Sequence, residues 1–366
     1  MTPTGQSGVQ IDGWLRLRRV SCYTSRFSPL WSDPMEARTL GRHGPQVSAL
    51  GLGCMGMSDL YGEADRRESI ATVHAALEAG ITLLDTGDFY GMGHNEMLLA
   101  EALAGRPRDS YLLSVKFGAQ RGPDGAWLGY DARPQAVKSA LAYTLRRLRT
   151  DYVDIYRPAR LDPAVPIEDT AGAISQLIDA GYVRHFGLSE VGVETIRRAH
   201  AVTPVVDLQI EYSLISRGIE DAILPACREL GIGLTAYGVL SRGLISGHWS
   251  KDRQPAARDF RQHSPRFQGA NLEHNLALVD RLRALAQASG ASVAQLAIAW
   301  VLARGQDIVP LVGARTRPRL EEALGALGVR LQNGDLAAIE SAIPPGAAAG
   351  DRYAAAQMAM LDSEKR

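Results

Sequence analysis

From residue 50 to its last helix the chain alternates between short apolar runs and amphipathic helices, and this alternation constrains the fold most. GLGC is followed by RRESIATVHAALEA over residues 66–79, with Gly80 placed where a helix ends in a left-handed turn. ITLLD reads as a strand, with a helix over 94–104. YLLSVK, then PQAVKSALAYTLRRL with Pro134 at its start, then YVDIY and IEDTAGAISQLIDAG repeat the unit. VRHFGL, VVDLQI, IGLTAY and DIVPLV supply the remaining strands, separated by helices near 192–201, 218–229, 275–303 and 316–327. Such alternation implies a parallel sheet covered by helices. Eight strand–helix units point to a closed (β/α)8 TIM barrel. RTLGRHGPQVSAL, just before the first strand, is expected as an N-terminal β-hairpin plugging the barrel's other end.

Gly51-Leu52-Gly53-Cys54-Met55-Gly56 spells the dinucleotide fingerprint G-x-G-x-x-G. The spelling acts as a phosphate cradle only where a helix opens on the last glycine and an acidic residue follows about 20 residues on. Here MSDLYGEAD intervenes, and the next helical pattern starts near Arg66. The glycines are better explained by a chain bending close to a ligand at the barrel rim.

The 40 basic and 40 acidic residues cancel, so nothing in the charge balance predicts nucleic acid or an acidic membrane as partner. No apolar run approaches the roughly 18 residues of a membrane span. Three scattered cysteines, Cys22, Cys54 and Cys227, suit neither a disulfide framework nor a metal site, and a reduced, cytoplasmic setting is expected. No H-x-H pair or other metal-ligand spacing occurs. Residues 1–34 show no sustained period and are expected as a disordered N-terminal extension that adds nothing to activity, with the natural product starting at Met35. The barrel is expected over residues 35–345 and a C-terminal tail over 346–366. Oligomeric state is not legible.

In a barrel, chemistry gathers at the C-terminal ends of the strands. After ITLL come Asp85, Thr86, Gly87, Asp88, Phe89 and Tyr90, and after YLLSV comes Lys116. Singly, each has an ordinary explanation: a rim ion pair and a half-buried loop tyrosine. Together, an acid, a phenol and an amine at neighbouring strand ends form a proton-transfer group. The ammonium is expected to lower the tyrosine's pKa, and the carboxylate to fix the lysine. Such a phenol gives a proton to a developing alkoxide and takes it back in reverse.

At these residues the sequence resembles the aldo-keto reductases. LDTGDFYGMGHNE is similar to that family's D-T-A-x-x-Y-G-x-x-x-N/S-E signature, and VPLVGARTRPRLEEALGAL to its cofactor signature near the last helix. The resemblance covers roughly residues 38–343. It implies a (β/α)8 barrel that binds NADP(H) extended, without a Rossmann unit, and reduces a small-molecule aldehyde or ketone. It casts Tyr90 as proton donor, tuned by Lys116 and Asp85. It sets backbone at Cys54 and Met55 near the nicotinamide, Ser189 and Gln209 against its carboxamide, and Tyr237 under its ring. It further implies Gly238, Leu240 and Arg242 along the pyrophosphate, Gly313, Arg315 and Arg319 at the 2′-phosphate end, and Glu322 at an adenosine edge. Arginine's planar, charged fork suits a phosphate, which favours NADPH over NADH.

The sequence departs from the family pattern twice. Ala159, in YRPARLDP, stands where the family usually has a catalytic histidine, and Ala323 where an adenine-binding asparagine is common. Loss of an oxyanion donor is worth about 2.7–4 kcal/mol where such donors have been removed. Water or Arg160 are candidates to fill that gap. His94 reads as a solvated helix start and His185 as a packed core residue, so neither restores the donor. The primary reading is an active NADPH-dependent reductase. A second is a cofactor-binding redox sensor or partner subunit with slow turnover, and a third a barrel enzyme using its arginine-rich end for a phosphorylated substrate. Loops over residues 117–130 and 250–271, with Trp127 and Phe267, are expected to shape the substrate pocket.

Overall fold

A computed structural model describes residues 35–256 and 259–365, so the expectations for residues 1–34 lie outside the described part. β1 (Ala37–Thr39) and β2 (Gln46–Ser48) pair antiparallel as the expected hairpin. The alternation then runs β3 (Gly51–Gly53), α1 (Arg66–Glu78), β4 (Leu83–Gly87), α2 (His94–Ala102) and β5 (Leu112–Phe117). A second antiparallel hairpin follows, β6 (Ala119–Arg121) with β7 (Trp127–Tyr130). Next come α3 (Pro134–Leu148), β8 (Val153–Pro158), α4 (Ile167–Asp179), β9 (Val183–Ser189), α5 (Val193–Val202) and β10 (Val205–Glu211). The last units are α6 (Ile223–Leu230), β11 (Gly233–Tyr237), α7 (Gly269–Ala288), α8 (Val293–Leu302), β12 (Ile308–Val312) and α9 (Arg317–Leu324), followed by α10 (Asn333–Ala342).

Eight parallel strands close in the order β3, β4, β5, β8, β9, β10, β11, β12 and back to β3. This is the (β/α)8 TIM barrel read from the alternation. Its strands lie between core and helices, which explains continuous apolar runs rather than alternation; every residue of β10 is buried. The amphipathic helices bury one stripe, whereas α8 is buried on nearly every side. In α3 that stripe is Val137, Leu141, Thr144 and Leu148, spaced by three and four, behind Pro134 in the first turn.

The hairpin forms the barrel floor. Leu40 and Val47 pack with Leu83, Ile155, Val309 and Leu311 in one buried cluster. Contact here reaches backbone: Gly41 has φ +68°, and a Cβ on it would stand 2.5 Å from the Val206 carbonyl oxygen. A cavity of about 590 Å³, lined in part by Arg38, Arg42 and Arg228, opens at this floor, away from the strand ends where chemistry gathers.

Besides the unforeseen β6–β7 hairpin and α10, two elements differ from expectation. The single helix expected over 275–303 is two helices, α7 and α8, whose axes turn by 86°. Gly290, with φ +66°, follows α7, and Ser292 and Gln295 form a capping box that starts α8. These local signals override the continuous apolar pattern. Residues 346–365, expected as a tail, lie against the barrel, where Asp362 Oδ2 accepts bonds from Gly192 N and Thr195 Oγ1 at the start of α5. Among the described residues, no single helix is long and apolar enough to cross a membrane.

Candidate active site

β4 and β5 run side by side with Gly87 opposite Lys116, so the acid at the end of one meets the amine at the end of the other. Lys116 Nζ donates to Asp85 Oδ1 at 2.5 Å and lies 5.1 Å from the centre of the Tyr90 ring. All three side chains are buried. The second Asp85 oxygen accepts from Ser114 Oγ at 2.9 Å and from Gln209 Nε2 at 2.7 Å. Three donors therefore fix this carboxylate. The cluster continues inward: Arg157 Nη2 donates to Ser114 Oγ and pairs with Asp207 at 2.6 Å, both charges fully buried.

Burial holds the Tyr90 phenol well above its ordinary range; Asp85 adds to this, and Arg160 is the largest influence drawing it down. The depression expected from Lys116 is overturned, because taking a phenolate out of water costs more than the neighbouring cations offset. Lys116 is itself lowered, since burial outweighs its pairing with Asp85. Asp88, two residues before Tyr90, is pushed up to about 7 by burial and by the nearby Glu96.

The residues expected to hold a cofactor follow the same rim. Cys54 is fully buried, its thiol pushed up by burial and directed at the Leu52 carbonyl, so only its backbone and that of the half-buried Met55 serve the turn after β3. Ser189 ends β9 with its Oγ buried and without a partner among the described residues. Gln209 Nε2 is committed to Asp85. Tyr237 ends β11 and donates to Glu190 Oε1 at 2.7 Å. Beyond it Gly238, Leu240 and Arg242 make a tight turn in which Ser241 and Arg242 adopt φ of +47° and +59°, unusual for residues with side chains. Arg242 Nη2 bonds Glu211 at 2.9 Å, while its Nη1 is buried without a partner. After β12, Gly313 is exposed, and a Cβ there would meet nothing within 4 Å. Arg315 Nη1 donates to the carbonyls of Tyr61 and Glu63, and Arg319 Nη1 to Glu322 at 3.0 Å. Glu322 also holds His248 at 2.8 Å.

The description "Aldo/keto reductase family" matches residues 49–344 of this chain. The chain belongs to the aldo/keto reductase family. It is 42% identical over 317 residues to a protein described as probable aldo-keto reductase 1 of Glycine max, covering 86% of this chain and 90% of that one. Among solved structures it is similar to the glycerol dehydrogenase of Gluconobacter oxydans, with 29% identity, a TM-score of 0.77, and 84% and 94% of the two chains covered. A thermostable aldo-keto reductase in complex with the inhibitor epalrestat matches at 25% identity and a TM-score of 0.68, covering 84% of this chain and all of its own. Membership makes the chain an oxidoreductase of the carbonyl-acting kind.

Within this aldo/keto reductase site, Ala159 is buried at the end of β8. Arg160, next to it, donates to the Ala159 carbonyl at 2.6 Å and reaches the Tyr353 hydroxyl at 3.4 Å. His94 bonds Ser58 at the start of α2, and His185, expected in the packed core, is only half-buried in β9 beside the exposed Arg184; neither replaces the missing donor. Ala323 is buried in α9. Phe267 is buried against Trp249, and Trp127 meets Phe89 edge-on.

Sequence reading missed the charges that brace this rim. Glu190, with φ +55°, is fully buried and bonded through both oxygens to Arg352. That pairing holds its carboxyl down at about 2 despite burial. Arg352 also lies 3.5 Å from Glu211, joining carboxylates from neighbouring strands, and the Tyr353 hydroxyl meets that of Tyr237 at 2.9 Å. The only sequence signals were an acid following the Ser189 strand end and an Arg-Tyr pair in an alanine-rich stretch.

Proposed function

We propose that the protein is an NADPH-dependent oxidoreductase that reduces aldehydes or ketones to alcohols, with Tyr90 as proton donor and Lys116 and Asp85 as its supporting pair. The Asp85–Lys116–Tyr90 cluster at the C-terminal strand ends carries this reading. When bound, the nicotinamide would supply a hydride to the carbonyl carbon. Burial keeps Tyr90 protonated at neutral pH, so it has a proton to give as the carbonyl oxygen gains charge. Asp85, held by three donors, keeps Lys116 charged and fixed beneath the phenol.

Two buried donors without partners, Ser189 Oγ and Arg242 Nη1, suit an amide and a diphosphate respectively. Backbone at Cys54 and Met55 would face the nicotinamide ring, and Gly238 and Leu240 would line the diphosphate. The open space at Gly313, with Arg315, Arg319 and Glu322, suits an adenosine 2′-phosphate and favours NADPH. One solved relative is a glycerol dehydrogenase, which supports alcohol–carbonyl chemistry.

The test is NADPH oxidation, followed at the nicotinamide absorbance, with a panel of aldehydes and ketones. Tyr90→Phe is expected to cost roughly 10²–10⁴-fold in activity, the range for a general acid, and to leave NADPH affinity nearly intact. Unchanged activity in that variant would refute the assignment. Ala159 favours a second reading, a cofactor-binding sensor or partner subunit with slow turnover. Tight NADPH binding without oxidation by any carbonyl would select it.

A further inference from the structure

Arg160 differs from the arginines around it. Arg157 pairs with Asp207 at 2.6 Å, Arg242 with Glu211 at 2.9 Å, Arg266 with Glu211 at 3.6 Å and Arg352 with Glu190 at 2.6 Å. Arg160 makes no ion pair among the described residues; its bonds go to the Ala159 carbonyl and the Tyr353 hydroxyl. Glu190 is near enough to act on its charge, but the Glu190 oxygens are taken by Arg352, Tyr237 and Ser363.

The surroundings are phenolic. Tyr90, Tyr130, Tyr237 and Tyr353 all lie within electrostatic reach of this guanidinium. Neutral phenols solvate a cation without neutralising it. Arg160 is half-buried, hence set deep yet open to the rim. A guanidinium bonded only to a carbonyl and a hydroxyl keeps donors for a ligand's carboxylate. Its bond to the Tyr353 hydroxyl, which meets the Tyr237 hydroxyl at 2.9 Å, sets it on the rim of strand ends that carries Tyr237.

Resting on the carbonyl-reduction reading of this site, we propose that Arg160 is a specificity-determining residue that pairs with a carboxylate on the substrate, so that preferred substrates are aldehydes or ketones bearing an acid group. One planar fork matches one carboxylate bidentately. A phosphate dianion calls for a second free cation, but Arg157 and Arg352 are paired with Asp207 and Glu190, and Arg242, paired with Glu211, has its spare donor assigned to the diphosphate. The pairing takes place on the ground-state substrate and is felt in KM before kcat.

The experiment compares 4-formylbenzoate with its methyl ester, using the full-length protein and NADPH. The expected result is a kcat/KM at least tenfold higher for the acid, falling toward equality in Arg160→Met mainly through KM, with partial recovery in Arg160→Lys. An acid-to-ester ratio near one in the wild type, or one left unaltered by Arg160→Met, overturns the proposal. Calorimetric binding of 4-(hydroxymethyl)benzoate and its methyl ester to the wild type saturated with NADP+ gives a readout independent of turnover and of any variant. Preference for the acid there, without reduction of either aldehyde, would retire the reductase reading and keep Arg160 as an anion contact; equal binding overturns the Arg160 assignment even if both aldehydes are reduced.

Discussion

At the scale of single residues, burial sets the chemistry more than charge does. The Tyr90 phenol is raised by the loss of water despite nearby cations, and Asp88 is raised for the same reason. Asp88 yields a signed prediction. A carboxyl whose folded-state pKa is about 7, against the ordinary 3.8, keeps its proton in the native state. Its contribution to stability is full below the ordinary value and is lost as pH rises through about 7. Asp88→Asn has no proton to lose, so its urea midpoint is expected to gain on the wild type from pH 4 to pH 7. A constant difference across that range would show that Asp88 does not titrate there. Asp85, Tyr90 and Lys116 were legible because the alternation put them at neighbouring strand ends. Glu190 was not, because its partner Arg352 lies 162 positions away and nothing local marks either as buried.

At the scale of elements, the strands carry a polar chain through the barrel interior. It runs from Lys116 through Asp85, Ser114 and Arg157 to Asp207 and Thr235, across β5, β4, β8, β10 and β11. Replacing one partner of a buried pair leaves the other uncompensated. Asp207→Asn is therefore expected to destabilise the protein by about 3–5 kcal/mol, measured by urea unfolding. A loss under about 1 kcal/mol, the scale of an exposed pair, would mean that water reaches Arg157. The strands themselves were readable as continuous apolar runs. The break between α7 and α8 escaped because the apolar positions continue across Gly290, and the β6–β7 hairpin because its strands are too short to show a period.

At the scale of the whole molecule, the C-terminal segment completes the rim. Arg352 neutralises Glu190 and approaches Glu211, while Tyr353 touches Tyr237. Arg352→Met is expected to lower both thermal stability and NADPH affinity, because Glu190, which orients Tyr237, loses its counter-charge. Loss of stability alone, with cofactor affinity intact, would confine Arg352 to bracing. The eightfold closure was visible from the spacing of strands and helices, but PPGAAAGDRYAAAQMAMLDSEKR has no period and reads as a tail until the acids it neutralises are known. The deep placement of two thiols has a practical corollary. Burial withholds Cys54 from solvent and pushes Cys227 up to about 12, so neither is a nucleophile while the barrel is closed. In a Cys22→Ser background, alkylation by iodoacetamide would then proceed only as fast as the fold opens, making the two sulfurs an intrinsic clock for global unfolding.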